Sequence, residues 1–218
     1  MFRGCEPRIP FSFGLTTGAV MFPDIARDDV FRLETRRLWL RWPRLSDAPA
    51  IERYCAKWEV ARYTARIPHP YPKGSAERFV FAAREGNTLG RDLAMMVTPL
   101  GAPARVLGAI SLERRGSDRL TLGYALAPEA WGRGYGTEAG RAIVDAAFAL
   151  SAVVEIDASV RVENPASARV LEKIGFVRVG RGLRGAPARG AMVECDAYVL
   201  PRNDWTARRE AASLETAR

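Results

Sequence analysis

Residues 122–139 constrain this chain more than any other stretch: Leu122-Gly123-Tyr124-Ala125-Leu126-Ala127-Pro128-Glu129-Ala130-Trp131-Gly132-Arg133-Gly134-Tyr135-Gly136-Thr137-Glu138-Ala139. An apolar run with strand character ends at Pro128, and a loop carrying Gly132, Gly134 and Gly136 follows. Ala139, Ile143, Ala146, Ala147 and Leu150 then recur at helical spacing, which predicts a helix over 138–150 opened by Gly136 or Thr137. A strand, a glycine-rich turn and a helix start make a socket for anions. Glycine lets the backbone approach a ligand, and the first helical amides point at it with a favourable dipole. Arg133 adds positive charge, so a pyrophosphate is the implied ligand. A Walker A loop needs a lysine that is absent, and Gly-x-Gly-x-Gly is not the Gly-x-Gly-x-x-Gly of dinucleotide folds. A plain tight turn also accounts for such glycines.

A second stretch narrows the reading. Val160-Arg161-Val162-Glu163-Asn164-Pro165-Ala166-Ser167-Ala168-Arg169-Val170-Leu171-Glu172-Lys173-Ile174-Gly175-Phe176 reads as a strand running into a short helix closed by Gly175. Together the two stretches resemble the GNAT acetyltransferase superfamily. Its Q/R-x-x-G-x-G/A signature is matched by Trp131 to Gly136, with Trp in first place, and its Asn-x-x-Ser and Gly-Phe by Asn164, Ser167, Gly175 and Phe176. The combination is similar to the RimJ/RimL branch, over residues 31 to 205. The resemblance implies a single α/β (mixed α+β) domain of the GNAT fold. Its central sheet is mixed and mostly antiparallel, splayed at the cofactor site, with helices on both faces. It implies an acetyl-CoA-dependent N-acetyltransferase, without metal, acting on a peptide or small-molecule amine as monomer or homodimer.

Composition limits the alternatives. A chain of 218 residues, 48% hydrophobic, suffices for one domain with a full core. No run of about eighteen apolar residues is present, so no membrane-spanning helix is expected. Cys5, Cys55 and Cys195 show neither metal spacing nor a disulfide framework, which fits a reducing cytoplasm. With His69 the sole histidine, a multi-histidine metal site is excluded. The net charge of +8 would suit a polyanion, but the excess is arginine scattered along the whole chain. A basic cleft for an anionic cofactor uses that charge, and nucleic acid is not the expected partner.

Residues 1–30 show no clear period and read as an N-terminal extension, a loose arm or an overextended start before Met21. Strands are expected at 38–42, 93–97, 106–112, 120–126, 153–160 and 191–200, and helices from 46, over 75–85 and after Asn164. The strand at 153–160 follows a helix, so its pairing with 120–126 is expected to be parallel. Residues 180–190 are expected to form a flexible Gly/Arg loop, and 206–218 a C-terminal tail, with a loose helix over 203–218. Trp58, Tyr63 and Tyr71 lie in an aromatic, proline-broken region where the family commonly walls its acceptor pocket; ordinary packing is the other reading.

The resemblance also implies roles. Amides from Arg133 through Gly134, Tyr135 and Gly136 to Thr137 hold the pyrophosphate. Leu126 and Ala127 offer backbone groups to the pantetheine arm, and the Leu126 amide serves the oxyanion. Asn164 suits the amide-rich arm, or caps a helix. Many relatives place a tyrosine seven residues after that asparagine and the branch a glutamate after Gly-Phe; here these are Leu171 and Val179, and neither can serve. Ser167 is left to bind or protonate the thiolate, or to cap. Asp196, Glu194, Glu138 and His69 remain as bases, or water does the work. These losses keep open a non-catalytic coenzyme A-binding module, and the arginine excess a ribosome- or nucleic-acid-surface binder. The candidate acceptor loops, 58–71 and 180–190, are basic, which favours an acceptor that is neutral or carries a carboxylate.

Overall fold

The computed structural model describes residues 20–216. The expectation for 1–30 therefore falls mostly outside the described residues, as does Cys5. The strands are β1 (Arg32–Glu34), β2 (Leu38–Arg41), β3 (Leu93–Pro99), β4 (Gly108–Arg115), β5 (Arg119–Leu126), β6 (Glu155–Arg161), β7 (Val177–Ala186) and β8 (Ala191–Pro201). The helices are α1 (Ala48–Cys55), α2 (Trp58–Ala61), α3 (Ser75–Thr88), α4 (Tyr135–Leu150), α5 (Pro165–Ile174) and α6 (Arg202–Thr216). One sheet runs in the order β1-β2-β3-β4-β5-β6-β8-β7. Every neighbouring pair is antiparallel except β5 and β6, which are parallel across the α4 crossover, as the chain order requires.

Strand alternation divides the core in two. Met95, Ile110, Leu112, Leu120, Ile156 and Tyr198 face α4 and α5, where Ile143, Phe148, Leu171 and Ile174 meet them. Met96, Ala109, Ala125 and Ala127 face the other way, against α1, α2 and α3 through Ile51, Tyr54, Val60 and Val80. Packing continues ahead of residue 31, and the chain is also anchored just before residue 205. Met21, Phe22 and Ala26 are buried in the larger core. Arg202 caps the end of α4, donating to the carbonyls of Phe148 at 2.7 Å and Ser151 at 2.6 Å, and Trp205 stacks on Phe148 at 5.0 Å. The tail helix is thus docked by its first turn.

Two local expectations need correction. Residues 180–186 are not loop: they belong to β7, which pairs with β8 from Val177 to Ala186, and a short 3-10 turn at Pro187–Arg189 closes the hairpin. Nearly all of β7 is exposed, so it shows no alternation to read. The second correction concerns α4, which starts at Tyr135, with Gly134 at its N-cap in the left-handed region at φ 77°. Side-chain capping rules miss such a start because glycine caps through backbone geometry alone.

Asn87 ties α3 to β3. Its side chain, 1% exposed, accepts from the Ala94 amide at 2.7 Å and donates to the Ala94 carbonyl at 2.9 Å. Asn87→Ala leaves both backbone groups without partners, so we expect a loss of about 2 kcal/mol in urea unfolding. A change below the error of the midpoint would show that water replaces the amide.

Candidate active site

The site arises where β5 and β6 part. Their ladder holds only Arg119–Glu155, Leu120–Ile156 and Thr121–Asp157; past that rung β5 continues to Leu126 and β6 to Arg161 without pairing. The side of β5 that faces this slot follows from its hydrogen bonds. The Ala127 amide donates to the Leu107 carbonyl at 2.8 Å, on the β4 side. Backbone groups alternate between the two sides of an antiparallel strand, so Leu126 and Tyr124 turn theirs toward the slot.

Ala127 is therefore not the backbone donor or acceptor expected of it. Its amide is engaged by Leu107, and its carbonyl accepts from the Ala130 amide at 2.9 Å in the Pro128–Ala130 turn. The Leu126 carbonyl accepts the Trp131 indole at 2.9 Å, which anchors the glycine loop to the strand end.

The loop leads directly into α4. The first amide bonded within the helix is that of Glu138, to the Gly134 carbonyl at 3.1 Å, and no side chain caps the start. The amides of Tyr135, Gly136 and Thr137 are thus the open N-terminal donors of a four-turn helix. Gly136 is buried against the slot: a Cβ there would lie 3.5 Å from the Leu126 side chain. Arg133 is exposed beside these donors, and its carbonyl accepts from Arg37 at 3.0 Å.

Arg37 is a residue that sequence reasoning missed. It stacks on Tyr135 at 4.8 Å and pairs with Glu138 at 2.6 Å, holding the loop against the helix. Glu138 is fully occupied in this way, accepting also from Thr35 Oγ1 at 2.7 Å and the Arg37 amide at 2.9 Å. Burial pushes its carboxyl upward, but those hydrogen bonds prevail and hold it below the ordinary carboxylate value. It is a strut, not a base.

On the other wall, Asn164 caps α5, its Oδ1 accepting from the Ser167 amide at 3.1 Å. The Ser167 hydroxyl does not cap; it lies 2.7 Å from the Tyr124 hydroxyl. Tyr124 is the second residue that sequence reasoning missed. A tyrosine is absent from position 171, where Leu171 is buried in the core, but β5 brings Tyr124 to Ser167 from across the slot. Burial pushes the Tyr124 phenol up to about 12, opposed by the Ser167 hydrogen bond, so it stays protonated at neutral pH. The only sequence-level signal is its parity: Tyr124 shares the inward face of Leu120 and Leu122.

The remaining candidates are dispersed. Tyr71 packs into the α1–α3 cluster, where burial raises its phenol well above the ordinary value. Trp58 is exposed, with the tilted His69 ring 5.3 Å away and the Arg189 guanidinium 5.4 Å over its own ring, and Tyr63 lies under Arg62 at 4.8 Å. Among the expected bases, Asp196 is held down at about 2 by hydrogen bonds from Arg181 and then Arg178. Val179 is exposed on β7. Among the described residues no cluster of three or more His, Cys, Asp or Glu is placed to hold a metal, and no helix is long and apolar enough to cross a membrane.

Known proteins share this fold. A family model described as an acetyltransferase (GNAT) domain matches residues 37–177. The uncharacterized N-acetyltransferase p20 of Bacillus licheniformis is 24% identical over 175 residues, which is 79% of this chain and 97% of that protein. The ribosomal-protein-S5-alanine acetyltransferase of Vibrio fischeri superposes with a TM-score of 0.68 at 22% identity, over 80% of this chain and 98% of that one. RimJ of Mycobacterium smegmatis, solved with a CoA-disulfide, gives 0.65 at 21% identity over 82% and 93%. Structural neighbours thus include ribosomal-protein acetyltransferases of the RimJ and RimL type. Because the family match spans more than half of the sequence, the chain belongs to the GNAT family and is an acetyltransferase.

Proposed function

We propose that the protein transfers the acetyl group of acetyl-CoA to a primary amine, on a peptide N-terminus, an amino acid or another small amine, by direct attack in a ternary complex. The observation that carries this reading is the unpaired slot between β5 and β6, opening beside the uncapped start of α4. The donor set fits the cofactor: the amides of Tyr135 to Thr137, with Arg133, suit a pyrophosphate, and the inward groups of Leu126 and Tyr124 suit an amide-bearing arm. Asn164 offers its amide nitrogen to the same arm while its oxygen caps α5.

Bound acetyl-CoA supplies an activated thioester carbonyl. The Leu126 amide donates to the oxygen that becomes negative as the amine nitrogen bonds to the carbonyl carbon. As the C–S bond breaks, the Ser167 hydroxyl gives its proton to the leaving sulfur and takes one from the Tyr124 phenol at 2.7 Å, which regains a proton from water. The proton lost by the amine leaves through water. Ser167 is the catalytic residue in this scheme, and Tyr124 positions and recharges it. The Trp58, Tyr63 and Tyr71 region forms part of the acceptor wall.

Calorimetry with coenzyme A and a thiol-release assay over a pool of amines and peptides test the proposal. No binding at high micromolar concentration would refute it. Binding without thiol release would instead favour a cofactor-binding module. Ser167→Ala is expected to lower kcat by about one to two orders of magnitude with little change in KM for acetyl-CoA. Tyr124→Phe should lower it about tenfold. Unchanged kcat in both would remove the pair from the mechanism.

A further inference from the structure

The acceptor side of the slot carries arginines that the scheme above leaves unused. Carrying the parallel offset of Thr121–Asp157 forward along both strands sets Ala125 opposite Arg161, across the slot and one residue before the Leu126 amide. The face is given by parity. Ile156, Ala158 and Val160 face α4 and α5, so Arg161 shares the opposite face with Asp157, whose Oδ1 accepts from Thr121 at 2.8 Å. Cofactor-side groups such as Tyr124 and Ser167 therefore approach the reacting position from one face of the sheet, and Arg161 flanks it on the other.

The β7–β8 hairpin brings a second guanidinium to the same place. Its turn is fastened to the chain after α2: the Ala188 amide donates to the Ala65 carbonyl at 3.1 Å, and Arg189 Nη2 donates to the Ala61 carbonyl. Arg161 Nη1 donates to the Arg62 carbonyl of that segment at 2.6 Å, so the two arginines converge on it from different strands. Arg189 Nε is buried and has no hydrogen-bond partner among the described residues. Burial and then the Arg161 charge disfavour the Arg189 cation. Arg184 stands on the same face of the sheet, since it pairs with Val193, two residues from the Cys195 that pairs with Arg161.

The acidic groups nearby do not cancel this charge. Glu163 takes Arg161 Nε at 3.0 Å but is mostly exposed. Glu113 is bound by Arg66 at 2.8 Å, and Asp157 lies four residues back along β6. A buried donor without an acceptor is costly, and an arginine fork suits a carboxylate.

We infer that Arg161 and Arg189, supported by Arg184, form a carboxylate-recognition site on the acceptor side, so that the preferred amine carries an anionic group within reach of its nucleophilic nitrogen. The inference rests on the acetyltransfer reading and narrows it to acidic acceptors. The carboxylate can be that of a free amino acid or peptide end, or an acidic side chain.

Four acceptors distinguish these cases: alanyl-alanine and its C-terminal amide, and the amides of alanyl-aspartate and alanyl-asparagine. The expected result is a kcat/KM at least about tenfold higher for one acid than for its uncharged match at low salt, closing as salt rises. Arg189→Met should collapse that ratio through KM, Arg189→Lys should retain part of it, and Arg184→Gln should reduce it in a variant that removes no hydrogen bond or ion pair among the described residues. Equal use of charged and uncharged matches, or an unchanged ratio in the folded variants, would overturn the inference. Absence of turnover with every acceptor would count against acetyltransfer itself. Calorimetry of the coenzyme A complex with the N-acetylated dipeptides then decides: tighter binding of the acids sustains the carboxylate site, and equal binding refutes it.

Discussion

Gly134→Asp is expected to weaken coenzyme A binding by at least about a hundredfold, a loss near 2.7 kcal/mol, while the protein stays folded. Gly134 sits at φ 77°, a left-handed conformation that aspartate tolerates better than most residues. A Cβ there would meet only Arg37 Nη2, at 3.3 Å, and the exposed loop has room for the carboxylate. Local strain should therefore cost about 1 kcal/mol. The carboxylate would lie against the amides of Tyr135, Gly136 and Thr137, acting as a cap and occupying the donors meant for phosphate. Each phosphate charge brought within a few ångströms of it would add roughly 1–4 kcal/mol of repulsion near a protein surface. Gly134→Ala is the control, because it brings the strain without the charge; it should keep most of the affinity. Calorimetry with coenzyme A, beside a thermal melt, makes the measurement. Full affinity in the aspartate variant would mean that the pyrophosphate binds elsewhere.

Asp47→Ala should cost about 3–5 kcal/mol of stability, a large share of what holds a domain of this size. Arg41 and Asp47 form a bidentate pair, with both N–O distances 2.8 Å and side-chain exposures of 6% and 4%. The pair joins β2 to the turn that opens α1, and Asp47 Oδ2 also accepts from the Arg44 amide at 2.8 Å. Arg41 donates further to the carbonyls of Trp42 at 3.1 Å and Pro103 at 3.2 Å. Removing the carboxylate leaves a guanidinium buried without its counter-charge, which is far worse than removing both partners. The melting temperature should fall by roughly 6–20 °C for a domain of this size. Replacing the pair together, as Arg41→Met with Asp47→Leu, should recover much of that loss. A single variant within 1 kcal/mol of the parent would show that water reaches the pair.

The loop at 131–136 and the cap at Asn164 were legible because their signals are local: glycines where the backbone turns back, a side chain that reaches its own helix. The strands at 108–115 and 119–126 were legible because burial on alternate residues is written into the order of the amino acids, and the strand at 93–99 because a short apolar run suits burial on both faces. The parallel pairing of β5 and β6 followed from chain order and the handedness of crossovers. By contrast, β1 and β7 lie at the two edges of the sheet and are largely exposed. With no buried face there is no alternation, and their strand character exists only through the neighbour each one pairs with.

The same division runs through the site. The family resemblance, read from contiguous motifs, pointed to Ser167, the Leu126 amide and a helix start after the glycine loop, which it placed one to three residues too late. It could not show that Tyr124 meets Ser167, that Arg37 ties up Glu138, or that the Ala127 backbone is already engaged. Nor could it bring Arg161 and Arg189 to the same segment. Those contacts join residues far apart in the chain, and no local period encodes them. The amino-acid order determined the fold, the family and the glycine turn before α4, because propensity and burial act over a few residues. Tertiary structure alone decided which hydroxyl meets that of Ser167 and which arginines gather on residues 61–62, because α5, β6 and the β7–β8 turn reach those places only once the sheet is assembled.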